Sequence, residues 1–443
     1  MSRVITLPAG PRLLIEELPH TYSVSIGYFT GVGACYEPAT LSGASHFIEH
    51  MCFKGTRELP NAMLISDAIE GVGGILNAAT SYESTVYWAK VADMHFDRAV
   101  HVLTEMLCCP LFDPREVEKE RRVIIEEIRS LQDSPGEWVH ALLQEAMWGS
   151  QPLGRDIAGS PESVSALSRD DLLTFWHKHY CPENLVISVA GNVRTDQVVA
   201  TLDAAFARHD ANPTNGTLPE PADPAAIACL PHTHDIRPAL PGPHVALLQR
   251  QTEQGNFCLG VPALSYRDPD RRALQVLDTI VGGGMASRLF QVLREELGLA
   301  YHVGSYQSEL AETGMWVIYG GVEPEMLRDS ITTILDILRD ILNDGVTEEE
   351  LTRVKEQVKG GILLSLEDTW SVASRNGAHQ LRYNEVIPIE RVVTEVEAVT
   401  GEDILRVARR LLYRDALHLA VIGPYGSDDQ QELHTMLTTA FAA

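Results

Sequence analysis

The sequence predicts an α+β protein of two homologous domains, each a mainly antiparallel sheet packed with helices on one face, joined by a proline-rich linker. Three observations predict it. The first is length: 443 residues exceed what one core of ordinary domain size organises. The second is proline. Eight of the 24 prolines fall between Pro213 and Pro243, a density that neither a helix nor a central strand accepts. The third is an internal repeat. "SRDDLLTFWHKHYCPENLVISVAG", starting at Ser168, aligns without gaps to "TGEDILRVARRLLYRDALHLAVIG", starting at Thr400. Each reads as a capped amphipathic helix, a turn, and an apolar strand ending in Gly. The expected organisation is an N-terminal domain at 1–212, a linker at 213–243 and a C-terminal domain at 244–443.

The elements follow in order. "TYSVSIGYFTG" and "ESTVYWAKV" are rich in β-branched and aromatic residues and read as strands. Residues 42–53, 61–71, 94–108 and 114–131 carry helical periodicity. The pair "VLTEMLCCPLFDPREVEKERRVIIEEI" has a counterpart in "ILDILRDILNDGVTEEELTRVKEQVKGGI". Both give an apolar-periodic helix, a turn and a second, charged helix. A repeat of this period is a duplicated domain rather than a solenoid. Strand runs separated by helix pairs give the α+β class.

Composition narrows the function. With 61 acidic residues against 35 Lys and Arg, the net charge of −26 argues against a nucleic-acid partner, whose phosphates need a basic surface. No apolar run approaches the length that spans a bilayer. The first residues alternate like strands and lack a secretory or transit pattern, so the expected location is cytoplasmic. Seven cysteines include no C-x-x-C pair, which indicates neither a disulfide framework nor a cysteine zinc site.

One short stretch carries chemistry. "GASHFIEHMCFKGT" places His46, Glu49 and His50 within five positions. On a helix, His46 and His50 lie one turn apart on one face and reach the same ion. Glu49 stands beside them, free to take a proton from an attacking water. Two ligands are too few, because catalytic zinc takes three protein ligands and an open position. "VEKERRVIIEEIRSLQD" supplies Glu120 and Glu127, two helical turns apart. Glu127 is the candidate third ligand, and Glu120 would sit behind the site on a ligating histidine. A charged helix facing solvent would carry the same residues. Cys52 points off the ligand face. The "HKH" pair, His177 and His179, and the "HTH" pair, His232 and His234, have no clustered carboxylate and are set aside.

These motifs resemble the pitrilysin or insulinase family of inverzincin metallopeptidases, in which H-x-x-E-H inverts the commoner H-E-x-x-H order. The spacing matches too, with 76 residues between His50 and Glu127 and an acidic residue seven before it. "GGILNAATSYESTVYW" and "EKERRVIIEEI" match the family's two-domain branch, which includes the mitochondrial processing peptidase. The resemblance implies His46, His50 and Glu127 as zinc ligands, one Zn2+ per chain, and Glu49 as general base. It also implies that Arg294 and Tyr301, in "SRLFQVLREELGLAYHVGSY", contact the substrate carbonyl. By residue type alone these two equally suit a surface helix and a strand start. Asn77, in "GGILNAATS", resembles the family's edge-strand asparagine near the scissile bond; a turn-flanking Asn reads the same way.

The second half lacks the metal kit. Aligned by their terminal glycines, "RRALQVLDTIVGG" puts Leu274, Leu277 and Asp278 opposite His46, Glu49 and His50. The expected function is a zinc endopeptidase acting on peptides or unfolded segments inside a clamshell chamber. One chain carries both the metal half and the Arg/Tyr half, so the expected assembly is a homodimer or a pair with a related chain. The alternative is a non-catalytic assembly or peptide-binding subunit of the same fold. Two histidines and a carboxylate also suit Fe, Co or Mn.

Overall fold

The computed structural model describes residues 4–210 and 239–441. The predicted linker lies outside the described residues as far as residue 238. The chain forms two compact units, and both are sheets covered by helices.

The first unit is built on six strands: β1 (Ile5–Thr6), β2 (Arg12–Glu17), β3 (Ser23–Thr30), β4 (Ile75–Thr80), β5 (Thr85–Ala92) and β6 (Leu185–Gly191). Their order is β1-β2-β6-β3-β5-β4, so β4 is an edge. β2 and β6 run parallel, and the other neighbours run antiparallel. The second unit has β7 (His244–Gln249), β8 (Gly255–Ala263), β9 (Ala300–Glu309), β10 (Gly314–Val322) and β11 (His418–Gly423), in the order β7-β11-β8-β10-β9. Here β7 and β11 are the parallel pair.

The duplication is visible in the local chemistry. Helix Arg169–His179 precedes β6, and helix Gly401–Leu411 precedes β11. Ser168 and Thr400 cap them, each accepting from the backbone N–H three residues on, with Asp171 and Asp403 closing reciprocal boxes. The expected helices at 42–53, 61–71, 94–108 and 114–131 form at Ala44–Cys52, Ala62–Glu70, Phe96–Cys108 and Pro114–Gln132.

Helices cover both faces of each sheet, not one. On β3, Val24, Ile26 and Tyr28 enter the main core, while Phe29 points to the other side and stacks on Trp370 at 6.2 Å between ring centroids. That side is covered by helix Thr369–Tyr383, from the far end of the chain. Small residues permit the approach. A Cβ on Gly27 would lie 2.9 Å from Trp370, and one on Gly377 would lie 2.3 Å from Phe29. Ser25 shares a hydrogen bond with Thr369 at 2.9 Å. The second unit repeats the device with helix Pro135–Trp148, whose Leu143 would meet a Cβ on Gly260 at 2.7 Å. The compact units are therefore not the expected halves of the chain. Arg129–Arg155 joins the second unit and Leu363–Pro388 joins the first. A strand with Ser, Gly or Cys at alternate positions cannot fill its own outer face and takes a helix instead.

Among the described residues, no helix is long and apolar enough to cross a membrane.

Candidate metal centre

The candidate ligands lie in the first unit, on two helices. Helix Ala44–Cys52 begins at Gly43, held in the left-handed region at φ 94°, where a Cβ would lie 2.6 Å from the Ala158 carbonyl oxygen. The buried Glu37 carboxylate accepts from the backbone N–H groups of Gly43 (2.8 Å) and Ser45 (2.7 Å). It satisfies donors at the helix start and places negative charge where the helix dipole favours it. Phe47, Ile48, Met51 and Cys52 are buried in the core, so His46, Glu49 and His50 are left on the opposite side of the helix.

Helix Pro114–Gln132 brings Glu120 and Glu127. The Arg121 guanidinium lies 5.5 Å from the centre of the Phe47 ring and donates to the Val164 carbonyl, joining the two helices. Ligand atoms of His46, His50 and Glu127 all fall within 4.8 Å of one another. Glu127 Oε2 is 3.9 Å from His46 Nε2 and 3.6 Å from His50 Nε2. Both rings thus present Nε2 to the same carboxylate oxygen.

The electrostatics fit a divalent cation. Burial, with His50 beside it, pushes His46 down to about 4, so its ring is neutral near pH 7 and has a lone pair to give. His50 Nδ1 lies 3.1 Å from Glu120 Oε2. With the proton assigned to Nδ1, Nε2 is free for an ion. Glu120 is 2% exposed, and its Oε1 is 2.8 Å from Lys54 Nζ. Burial alone would raise Glu120; the hydrogen bonds from His50 and Lys54 and the lysine charge hold it below the ordinary carboxylate value. Two ring nitrogens and one carboxylate oxygen, with solvent access at the half-exposed Glu127, make a donor set that zinc accepts.

Glu49 is not part of the ligand cluster. The Thr80 hydroxyl donates to its Oε2. Burial raises Glu49 above the ordinary carboxylate value, opposed by the Thr80 hydrogen bond. Asn77 lies on the edge strand β4, as expected. It is exposed, its Oδ1 accepts from the Ala78 N–H at 2.8 Å, and it sits opposite Trp88 of β5. Strand alternation puts Asn77 and Thr80 on opposite faces, so the Asn77 side chain does not share the Thr80 side.

Arg294 and Tyr301 belong to the second unit and lie together. The guanidinium is 4.8 Å from the Tyr301 ring centre and 4.7 Å from that of Phe290. Tyr301 is the extra residue of a bulge in β9: Gly321 pairs with His302 and Val322 with Ala300. A bulge re-aims a side chain, and Tyr301 is 78% exposed.

Where the first unit has candidate ligands, the second has packing. Leu274 and Leu277 are buried on helix Arg271–Gly282. Asp278, the counterpart of His50, accepts from Ser305 and from Trp316 Nε1.

Sequence reasoning missed Thr80, Lys54 and Glu37. Lys54 follows His50 at the i+4 spacing, a signal that was available. Thr80 and Glu37 act through contacts that no local pattern encodes.

Two family models match the chain: "Insulinase (Peptidase family M16)" over residues 12–161 and "Peptidase M16 inactive domain" over residues 166–358. A protein of Streptomyces coelicolor named an uncharacterized zinc protease is 39% identical over 98% of this chain and 92% of its own length. The chain belongs to peptidase family M16. This M16 chain is also 37% identical to an uncharacterized zinc protease of Bacillus subtilis, over 96% of the chain and 99% of the relative. The crystal structure of a protease from Helicobacter pylori superposes with a TM-score of 0.85 at 20% identity, covering 96% of this M16 chain and 99% of that one. At that identity the structural likeness speaks to the fold. The expected family and the α+β, two-domain class both hold.

Proposed function

We propose that this chain is a zinc-dependent endopeptidase acting on peptides or unfolded polypeptide segments. One observation carries the reading: His46, His50 and Glu127 converge from two helices, with Glu49 held apart from the cluster. Zinc at these three ligands would supply Lewis acidity, which activates water and polarises a carbonyl near neutral pH. The chain's own groups do the rest. Thr80 engages Glu49 Oε2, which leaves Oε1 to take a proton from the attacking water and return it to the leaving amine. Glu120 fixes the His50 ring. Arg294 and Tyr301 are proposed to bind the carbonyl oxygen as it gains charge. Asn77 and the open edge of β4 are proposed to receive an extended peptide by backbone pairing. A cytoplasmic location is part of the proposal. The alternative, a non-catalytic subunit, would need none of these groups, and a full ligand set with a separate base counts against it.

The test is metal analysis with cleavage of a quenched peptide library. About one zinc per chain is expected, with cleavage abolished by a chelator and restored by zinc; parallel reconstitution with Fe, Co and Mn ranks the metals. Metal-free protein that cleaves equally well overturns the reading.

We further propose a homodimer in which Arg294 and Tyr301 of one chain serve the metal site of its partner. Mixing Glu49→Gln chains with Tyr301→Phe chains is then expected to restore cleavage, to ~25% of wild type under random exchange. No recovery, once exchange is demonstrated by differently tagged chains, argues that each chain serves itself.

A further inference from the structure

We propose that Lys54 is a positioning residue for metal binding, acting through Glu120 on His50. The proposal rests on the zinc reading above and goes beyond it by assigning a group outside the ligand set. The Glu120 carboxylate is buried and divides its oxygens between two partners. Oε2 faces His50 Nδ1 at 3.1 Å, and Oε1 faces Lys54 Nζ at 2.8 Å. A carboxylate held by one oxygen can rotate about its last bond. Held at both, it presents Oε2 to the imidazole at a fixed angle, and so fixes where Nε2 points. Lys54 also supplies the counter-charge that a carboxylate removed from water requires.

The lysine is itself fixed. It lies just past helix Ala44–Cys52, and its backbone N–H donates to the Met51 carbonyl at 3.1 Å. Its positive charge sits near the helix C-terminus, where the dipole favours it. Lys54, Glu120 and His50 thus form a clip between the helix that bears two ligands and the helix that bears the third. Glu127 follows Glu120 by two turns, so the same clip sets its height along the helix.

The duplicated half gives the control. In the pairing of "RRALQVLDTIVGG" with the histidine helix, His50 falls opposite Asp278 and Lys54 opposite Gly282. A Cβ on Gly282 would lie 2.3 Å from the Ser305 backbone nitrogen, so no lysine fits there. On the second helix, the buried positions Val117, Glu120 and Ile124 match the buried Leu351, Val354 and Val358 in spacing. Glu120 thus corresponds to an apolar valine. The lysine, the buried acid and the ligand are absent together from the unit that has no metal cluster among its described residues. A lysine that served only the helix end would have no reason to leave with the other two.

The experiment measures equilibrium zinc affinity by competition with a chromophoric chelator, on the full chain without substrate. Lys54→Met is expected to weaken binding by about 10–100-fold, the usual cost of losing a group behind a ligand, and Lys54→Arg to stay within about threefold of wild type. On a Glu120→Gln background, Lys54→Met is expected to cost less than about threefold more, because its route to the metal is already broken. Circular dichroism of the zinc-free proteins checks folding. Lys54→Gln replaces the methionine variant if that one fails to fold, with a loss in the same direction expected. Wild-type affinity in a folded charge-removing variant overturns the proposal, as does an undiminished loss on the Glu120→Gln background. A wild-type chain that binds no zinc overturns the peptidase reading instead.

Discussion

Replacing Glu49 by glutamine is expected to lower kcat/KM for peptide cleavage by about 10²–10⁴-fold while zinc content stays at the wild-type level. The amide is nearly isosteric with the carboxylate, and the Thr80 hydroxyl that donates to Oε2 can still donate to an amide oxygen. The candidate ligand cluster is made by other side chains, His46, His50 and Glu127. What disappears is the group that accepts a proton. The environment of Glu49 suits that task, since burial makes it a stronger base than an exposed glutamate. Cleavage rate, zinc by mass spectrometry and circular dichroism are read on the same preparation. Residual cleavage within tenfold of wild type would remove Glu49 from the chemistry. Loss of zinc along with activity would place it among the ligands.

A second large effect is expected from His179, through stability. Its side chain is 3% exposed against Phe175, and neither ring nitrogen has a hydrogen-bond partner among the described residues. Burial, with the nearby Lys178 charge, pushes it down to about 4. An unfolded histidine takes a proton near pH 6.5, while the folded one resists until about 4. Between those values the unfolded chain binds more protons. Stability is therefore lost as the pH falls from 6.5 towards 4, by about 3 kcal/mol in total. The duplicate position is Leu411, buried at the end of the matching helix. His179→Leu is expected to flatten this part of the acid profile, so that its advantage over wild type grows between pH 7 and pH 4.5. Urea unfolding midpoints at several pH values measure it. Parallel profiles for the two proteins would show that His179 does not titrate on unfolding in this range.

The candidate metal cluster was legible in the sequence partly from local spacing and partly from the family resemblance, which singled out Glu127 on an otherwise ordinary charged helix. The i, i+4 spacing puts His46 and His50 on one face, and two turns separate Glu120 from Glu127. A helix converts such spacing into geometry with few alternatives. Lys54 lies just past the helix end, and a lysine after a helix has many ordinary uses. Thr80 was not legible, since its partner Glu49 lies 31 residues away on another element. His179 was set aside as a weak metal ligand in "HKH", although the leucine at its duplicate position already marked a core site. Arg294 and Tyr301 were singled out by the resemblance and not by their residue types, and the bulge that turns Tyr301 outward has no sequence mark.

The exchange of helices between halves was the largest omission. No periodicity joins Trp370 to Phe29, which lie far apart in sequence and meet only in the folded chain. The hint was compositional: Ser25 and Gly27 on β3, Cys258 and Gly260 on β8. Such small residues read as weak strand formers until a covering helix explains them.

That exchange also dictates a timetable during synthesis. The sheet carrying the histidine helix has all its strands once Gly191 leaves the ribosome, yet Leu14, Phe29 and Val186 stay bare until Trp370 and Leu381 emerge. A nascent chain holding that uncovered apolar surface is a client for chaperones. A gene cut between the two halves would yield two sticky fragments, and only co-expression of both would supply each with its missing lid.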